Sequence, residues 1–113
     1  MAISVPEESR ADVLKLQQTQ QQLQMLMLQK QNLQSKFLEL ENAITEIDGI
    51  TKEDVYEIVG NIMVKRDKDF LRNNLVEKKE TLSLHQNSVD KQIDKLTDMA
   101  NKLQEKIMSS MKK

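Results

Sequence analysis

The sequence contains no cysteine, only one proline and two glycines among its 113 residues, and 3% aromatic residues. Without cysteine, disulfides and thiolate metal sites are excluded, and the composition suits a reducing compartment. We therefore expect a cytoplasmic location. Few aromatic residues beside abundant Leu, Lys, Glu and Gln favour long helices over a compact globular core.

The chain also lacks an excess of charge of one sign. Its formal net charge is −1, with acidic and basic residues interspersed, so no basic patch or tail indicates nucleic acid or an anionic membrane as a partner. No apolar run approaches the ~20 residues of a membrane span. The first ten residues, MAISVPEESR, lack the apolar core of a secretory signal. We expect neither a nucleic-acid partner nor a membrane partner.

Two apolar series at coiled-coil spacing occupy the two halves of the chain. Alternating intervals of three and four residues average 3.5, the period of a coiled coil. The first series skips some positions, one of which is Lys30. Its members are Leu16, Leu23, Leu26, Leu33, Phe37, Leu40, Ile44 and Ile47, and those of the second are Leu75, Leu82, Val89, Ile93, Leu96, Ala100, Leu103 and Ile107.

These series predict a single domain, residues 1–113, with helices over residues 6–48 and 68–111. Pro6 suits a helix start, and Gly49 is placed to end the first helix in a left-handed conformation. Asp67 or Asp69 is a suitable N-cap for the second helix. We expect the two helices to fold back on each other as an antiparallel coiled coil.

The polar interruptions predict a register for this pairing. If Asp48 and Lys68 mark the inner ends, Lys30 lies opposite Gln86, with His85 beside it. Two polar residues that meet in an apolar seam share hydrogen bonds and define register. The alternative is that a polar residue near the solvated rim is simply tolerated. The same register brings both chain ends together at the far tip.

The stretch VYEIVGNIMVK, residues 55–65, departs from the helical composition. Five of the ten residues from Val55 to Val64 are β-branched, and the Gly60-Asn61 pair predicts a hairpin over residues 54–66 with a type II′ turn. Both faces are partly apolar, and a lone two-stranded hairpin is marginal in water. We therefore expect other chains to cover it. The predicted interface comprises Val55, Tyr56, Ile58, Val59, Gly60, Ile62, Met63 and Val64.

A second candidate surface is the tip where the chain ends meet. Flexible Met and aliphatic side chains there suit adaptable apolar partners, although ordinary surface positions would look the same. The nine glutamines between residues 17 and 34 are either an adaptable polar surface or a solvated face of good helix formers. The predicted tip residues are Val13, Leu14, Leu16, Ile107, Met108 and Met111.

Nothing in the sequence indicates catalysis. The sole histidine, His85, has no nucleophile partner in the pattern, and acidic residues alternate with lysines as on solvated helix faces. There is no Gly-rich phosphate loop and no clustered His/Cys ligand set. We expect no enzymatic activity, no metal and no other cofactor.

The stretch VYEIVGNIMVK, followed by VEKKETL at residues 76–82, resembles the VY-x-x-VG-N-x-x-x-K hairpin and the following helix start of archaeal-like β-type prefoldin subunits. The order long helix, β-hairpin, long helix resembles the same family over essentially the whole chain. The single hairpin matches the β-type, because α-type subunits carry two.

This resemblance implies a heterohexamer of two α-type and four β-type subunits, whose hairpins form a double β-barrel platform carrying six coiled coils. It also implies that unfolded polypeptides are held between the coil tips without ATP and passed to a group II chaperonin. The alternative from the residues is a structural or tethering coiled coil that binds no client.

Overall fold

The computed structural model of the chain describes residues 7–111, apart from the side chain of Glu8. In chain order these residues form helix α1 (Glu7–Asp48), strand β1 (Asp54–Val59), strand β2 (Ile62–Asp67) and helix α2 (Lys68–Met111). The predicted fold class of two long helices joined by a central hairpin is confirmed. The helix start predicted at Pro6 lies outside the described residues.

The chain divides into two compact units. One contains Met1–Gln31 and Ser88–Lys113, and the other contains Asn32–Asn87. Each unit therefore includes a segment of α1 and a segment of α2, and the second unit also includes the hairpin. That the chain forms a single domain stays a prediction.

In the first unit, segments of α1 and α2 run antiparallel and are joined by two ion pairs. Lys30 Nζ lies 3.0 Å from Asp90 Oδ1, and Lys106 Nζ lies 3.4 Å from Asp12 Oδ2. As the residue number rises in one helix it falls in the other, which is the antiparallel arrangement. The seam between these segments buries Val89 and Ile107 of α2.

The register of this pairing differs from the predicted one. The partner of Lys30 is Asp90, four residues, or about one helical turn, beyond the Gln86 of the prediction. The prediction placed Asp48 level with Lys68, whereas Asp48 pairs with Arg72 and Lys68 Nζ donates to the Ile50 carbonyl. A seam repeating every three to four residues looks nearly the same after a shift of one turn, so apolar spacing alone did not exclude this register.

Thr19 occupies a seam position that the apolar series skipped. Its side chain is 4% exposed, and its Oγ1 donates a hydrogen bond to the Lys15 carbonyl at 2.8 Å. A hydroxyl satisfied within its own helix does not need a partner across the seam. Thr19 therefore continues the 3/4 spacing between Leu16 and Leu23 without an unpaired buried group.

The second unit contains the inner ends of both helices, where Leu33, Ile47 and the hairpin residue Val55 are buried. Lys79 lies with its Nζ 5.1 Å from the centroid of the Phe37 ring and 3.4 Å from Glu41 Oε1. The Lys79 stem thus contributes to covering the seam while its charge pairs at the rim.

Helix α1 ends differently from the prediction. Gly60 is the sole described residue with positive φ, so Gly49 is not left-handed. Its N–H donates to the Thr45 and Glu46 carbonyls, both at 3.2 Å, and the Ile50 N–H donates to the Ile47 carbonyl at 3.0 Å. Hydrogen bonds to the third residue back tighten the last turn, and they satisfy end carbonyls without a left-handed cap.

The start of α2 follows the prediction. The Phe70 N–H donates to Asp67 Oδ2 at 3.2 Å, which is the N-cap hydrogen bond to the third helical residue. The Lys68 N–H donates to the Glu53 carbonyl at 2.7 Å, so the hairpin ladder continues to the first residue of α2. The hairpin is thereby joined to the helix without an intervening loop.

Candidate interaction surfaces

The hairpin pairs β1 and β2 antiparallel in the register Val55↔Arg66 to Val59↔Ile62. Gly60 has φ of +62° and Asn61 has no positive φ. A type II′ turn needs positive φ only at its first central residue, whereas type I′ needs it at both. The signs therefore match the predicted type II′ turn.

The register assigns the hairpin side chains to two faces, because directly paired residues share a face. On one face Val55 is buried and Val64 is half-buried, whereas Val59 and Ile62 near the turn are exposed. On the other face the large apolar side chains are all exposed. There the exposed fractions are 61% for Tyr56, 73% for Ile58 and 66% for Met63. Near the turn on the first face, they are 51% for Val59 and 66% for Ile62.

Charges lie at the base of the hairpin, away from the turn. Arg66 Nε lies 3.3 Å from Glu57 Oε2, and Lys65 Nζ lies 3.2 Å from Asp54 Oδ2. The hydrogen bond to Asp54 raises the pKa of Lys65. Residues 58–63, nearest the turn, therefore carry no charge and present large apolar side chains on both faces. The two strands form a sheet with no third strand among residues 7–111.

An apolar groove of about 650 Å³ lies beside the base of β1 in the same unit. Its walls come from the ends of both helices and from β1. The apolar lining consists of Ala43, Ile47, Ile50, Val55, Leu71 and Leu75. The exposed apolar surface of the hairpin thus continues into a concave region at its base.

The first unit brings together the predicted tip residues from both helices. The Asp12–Lys106 ion pair places Val13 and Leu14 of α1 at the same level as Ile107 and Met108 of α2. The exposed members of the set are Leu14, Met108 and Met111, at 57%, 53% and 42%. Val13 and Leu16 are half-buried, and Ile107 is buried, with an exposed fraction of 9%.

Ile107 therefore lies in the seam of this chain rather than on its surface. The exposed side chains of the candidate tip are Leu14, Met108 and Met111. The apolar series assigns Ile107 to the seam, and its position near the chain end also made it a candidate tip residue. Only the exposure of its side chain distinguishes packing in the seam from a place on the tip surface.

Further exposed apolar side chains lie outside both predicted sites. In the first unit they lie in both α1 and α2, and in the second they include an aromatic residue near the start of α2. Phe70 is 53% exposed. It is the third residue after β2, and an apolar aromatic residue so close to the predicted interface was a sequence signal that the prediction did not use. The others are Met25, Met27, Leu28, Leu38, Ile50, Leu84 and Met99.

No three His, Cys, Asp or Glu side chains in residues 7–111 are grouped so that they would hold a metal ion. No described helix contains a stretch both long and apolar enough to cross a membrane.

Comparisons with known proteins agree with one another. A family model described as "Prefoldin subunit" matches residues 10–113. A prefoldin subunit beta of Pyrococcus furiosus is 33% identical over 110 residues, which cover 96% of this chain and 94% of that protein. One from Saccharolobus islandicus is 32% identical over 114 aligned positions, covering 100% of this chain and 90% of that protein.

A solved structure is also similar over nearly its whole length. The crystal structure of the prefoldin beta subunit from Thermococcus strain KS-1 superposes with a TM-score of 0.90 at 33% sequence identity, covering 99% of each chain. The helix–hairpin–helix order, the exposed hairpin and these full-length matches lead to one conclusion. The chain belongs to the prefoldin subunit family, whose members are subunits of a molecular chaperone.

Proposed function

We propose that this chain assembles with α-type prefoldin subunits and further β-type copies into a heterohexamer of two α and four β subunits, which holds unfolded polypeptide without ATP. The observation that carries the proposal is the uncharged, exposed apolar end of the hairpin, residues 58–63. Four large apolar side chains there are 51% to 73% exposed, and Tyr56 on the same strand is 61% exposed. Strands from neighbouring subunits would cover these side chains and pair with the open strand edges, as in a β-barrel.

The assembly would bind clients at the ends of the helices that are remote in sequence from the hairpin. Leu14, Met108 and Met111 supply exposed aliphatic and thioether groups, which adapt to many apolar partners. Contact at one such tip is weak, and several tips acting on one client raise the effective concentration. This mechanism needs only reversible contact, so we infer that no catalytic step and no cofactor are involved.

The remaining parts of the proposal rest on family membership. Held polypeptide would pass to a group II chaperonin, and the site of action would be the cytoplasm. The near-neutral net charge of −1 fits partners recognised through apolar surface, with neither nucleic acid nor a membrane among them.

The assembly proposal is tested by charged substitutions in the closing pair of the hairpin. Val59 and Ile62 lie directly opposite each other, so Val59→Lys with Ile62→Glu allows a cross-strand ion pair and preserves the isolated hairpin. Covering these charges in an interface would be unfavourable. We expect native mass measurement, with an α-type subunit present, to show loss of the hexamer while circular dichroism shows that the helices remain.

The matched control places Lys and Glu at exposed apolar positions of the same unit, Leu38→Lys with Leu84→Glu. Leu38 and Leu84 are 57% and 71% exposed, and we expect the hexamer to survive their replacement. If the hairpin variant also assembled normally, the tethering alternative, in which the hairpin is a dispensable linker, would replace the proposal.

The client-binding proposal is tested by truncation. Removing residues 1–14 and 107–113 deletes the exposed tip residues and leaves the hairpin intact. We expect the truncated complex to assemble and to lose suppression of aggregation of a denatured client. Full suppression by the truncated complex would exclude the tips as the binding site.

A further inference from the structure

One stretch of α1 carries no charge at all. Residues 16–29 contain no Asp, Glu, Lys, Arg or His, although 31% of the chain is charged. The stretch is 14 residues long and spans ~21 Å at 1.5 Å per residue. Lys15 and Lys30 flank it. Because the stretch includes exposed positions as well as seam positions, the surface of α1 is uncharged here.

A row of exposed residues follows this stretch on the side of α1 opposite the seam. Its members are separated by four, three, four and three residues, so they lie on one helical face. All five are exposed. We call them the outer row of α1: Leu14, Gln18, Gln21, Met25 and Leu28.

The outer row is apolar at three positions and neutral at the other two. Leu14, Met25 and Leu28 are 57%, 72% and 60% exposed. Gln18 and Gln21 carry amides that donate and accept hydrogen bonds without the desolvation penalty of a charge. This surface therefore complements uncharged segments that carry apolar side chains and free peptide groups.

The α2 segment of the same unit is mostly charged up to the tip. Residues 88–106 contain eight charged residues, and the exposed large apolar side chain in this range is Met99, at 38%. Of the charged residues, Lys91, Asp94, Lys95, Asp98, Lys102 and Glu105 are exposed. Covering them would require desolvating several charges. In this unit, the outer row of α1 can therefore be covered by a partner without desolvating charges, whereas the charged face of α2 favours contact with water.

The available area decides between a stable partner and a transient one. A fully exposed Leu or Met side chain offers on the order of 100 Å² of apolar surface, so the three in the outer row offer on the order of 200 Å². A stable interface between two proteins buries ~800 Å² per partner. The outer row is too small to hold a second copy of this chain by itself, and it suits weak contact repeated across several subunits.

We propose that the outer row of α1 extends the client-binding surface from Leu14 at the tip along the helix to Leu28, and that it receives uncharged, apolar segments of non-native polypeptide. The inference rests on the proposed chaperone function and adds that, beyond the tip shared by both helices, α1 is the helix that faces the client. Leu14 belongs to both surfaces, so they are continuous. The charged face of α2 stays in contact with water.

The test adds charge to one helix at a time in the assembled complex. Met25→Lys with Leu28→Lys places two charges on the outer row. Gln92→Lys with Asn101→Lys places two on exposed positions of α2 in the same unit. All four positions are exposed helix sites, so helix content and assembly should not change. We expect the ratio of complex to client needed to suppress aggregation of urea-unfolded citrate synthase to rise on the order of tenfold for the α1 variant alone.

Site-specific crosslinking supplies a second readout that does not depend on activity. A benzoylphenylalanine at position 25 should crosslink to the unfolded citrate synthase, and one at position 101 should not. Crosslinking from position 25 to another copy of this chain would overturn the inference, as would equal capture from both positions. If the wild-type complex suppresses aggregation and the α1 variant matches it, the outer row is not used and the proposed function stands. If the wild-type complex fails to suppress aggregation, the proposed function fails as well.

Discussion

Arg72 holds the carboxylate of Asp48, the last residue of α1. Arg72 Nε lies 2.6 Å from Asp48 Oδ1, and Nη2 lies 3.4 Å from Oδ2. An acidic side chain at the C-terminal end of a helix is unfavourable because the helix dipole places negative charge there. The guanidinium neutralises this charge and joins the inner ends of the two helices. Its hydrogen bond lowers the pKa of Asp48, and the carboxylate raises that of Arg72.

This pair predicts a pH-dependent contribution to stability. Since the pKa of Asp48 is lower in the folded chain than in the unfolded one, the pair stabilises the fold above the unfolded pKa of about 4 and loses its effect as the pH falls through the folded pKa. We expect Arg72→Gln to lower the Tm slightly at pH 7, because both side chains are partly exposed to solvent.

The difference in Tm between wild type and Arg72→Gln should shrink in acid as Asp48 becomes protonated. Thermal unfolding followed by circular dichroism at a series of pH values measures it. Lys91→Gln removes an exposed positive charge elsewhere on α2 and serves as the control. A difference for Arg72→Gln that stayed constant down to pH 2 would show that Asp48 is not the relevant partner.

The two glycines should respond oppositely to alanine. Gly60 has φ of +62°, where a Cβ destabilises the backbone by ~1–2 kcal/mol. At Gly49, where φ is not positive, a Cβ would meet the Glu46 carbonyl at an ordinary 3.5 Å. Gly49→Ala should therefore stabilise the chain by ~0.4–1 kcal/mol through the unfolded state.

Hydrogen exchange of the hairpin amides measures the first effect, and urea unfolding of the helices measures the second. We expect faster exchange in Gly60→Ala and a higher urea midpoint in Gly49→Ala. Destabilisation by Gly49→Ala comparable to that by Gly60→Ala would contradict the backbone assignment at the end of α1.

Burial predicts which apolar residues of α2 hold the helices together. Val89 is 2% exposed and Leu84 is 71% exposed. We expect Val89→Ala to lower the free energy of unfolding by roughly 2 kcal/mol, since it removes buried methyl groups and leaves a cavity. Leu84→Ala should change it by less than ~0.5 kcal/mol. Equal effects in urea denaturation would mean that α2 is rotated from the described orientation.

Replacing the seam hydroxyl of Thr19 with a methyl group should not reduce the stability of the fold. Its Oγ1 bonds only a carbonyl of its own helix, which already serves as a helical acceptor. We expect Thr19→Val to leave the free energy of unfolding unchanged or to raise it by up to ~1 kcal/mol.

Thr45 supplies the matched comparison, because its Oγ1 makes the same bond to the Glu41 carbonyl at 2.9 Å on an exposed surface. Thr45→Val places an apolar group in water and should give no stabilisation. A marked loss of stability in Thr19→Val, measured by urea unfolding, would reveal a partner for this hydroxyl across the seam.

Sequence patterns succeeded where the structure depends on near neighbours in the chain. The Gly60-Asn61 pair predicted the turn type because a two-residue hairpin restricts φ at both positions. Asp67 was one of two predicted caps, and the choice between them required only the backbone geometry of a single turn. The expectation of apolar side chains on both faces of the hairpin followed from the residues on either side of the Gly60-Asn61 pair.

Patterns failed at Gly49, where glycine was read as a left-handed cap although tightened hydrogen bonds satisfy the helix end. They also passed over Thr19, because the seam series was built from apolar residues and the one polar layer predicted in it was at Lys30. The grouping of Ile107 with Met108 in the candidate tip stays a prediction, and the two side chains differ in exposure, at 9% and 53%. Each failure concerns a side chain or backbone group whose environment depends on more than one element.

The order helix, hairpin, helix and the apolar face of each helix were therefore readable from the amino acids alone, since local spacing and turn chemistry specify them. The register between helices was not, because a heptad pattern matches itself after a shift of one turn with little change in apolar contact. Ion pairs such as Lys30–Asp90 distinguish the shifted alignments. The exposure of Leu14, Met25 and Leu28 likewise emerged only once the helices were packed, because packing assigns one stripe of each helix to the seam and leaves the other to solvent.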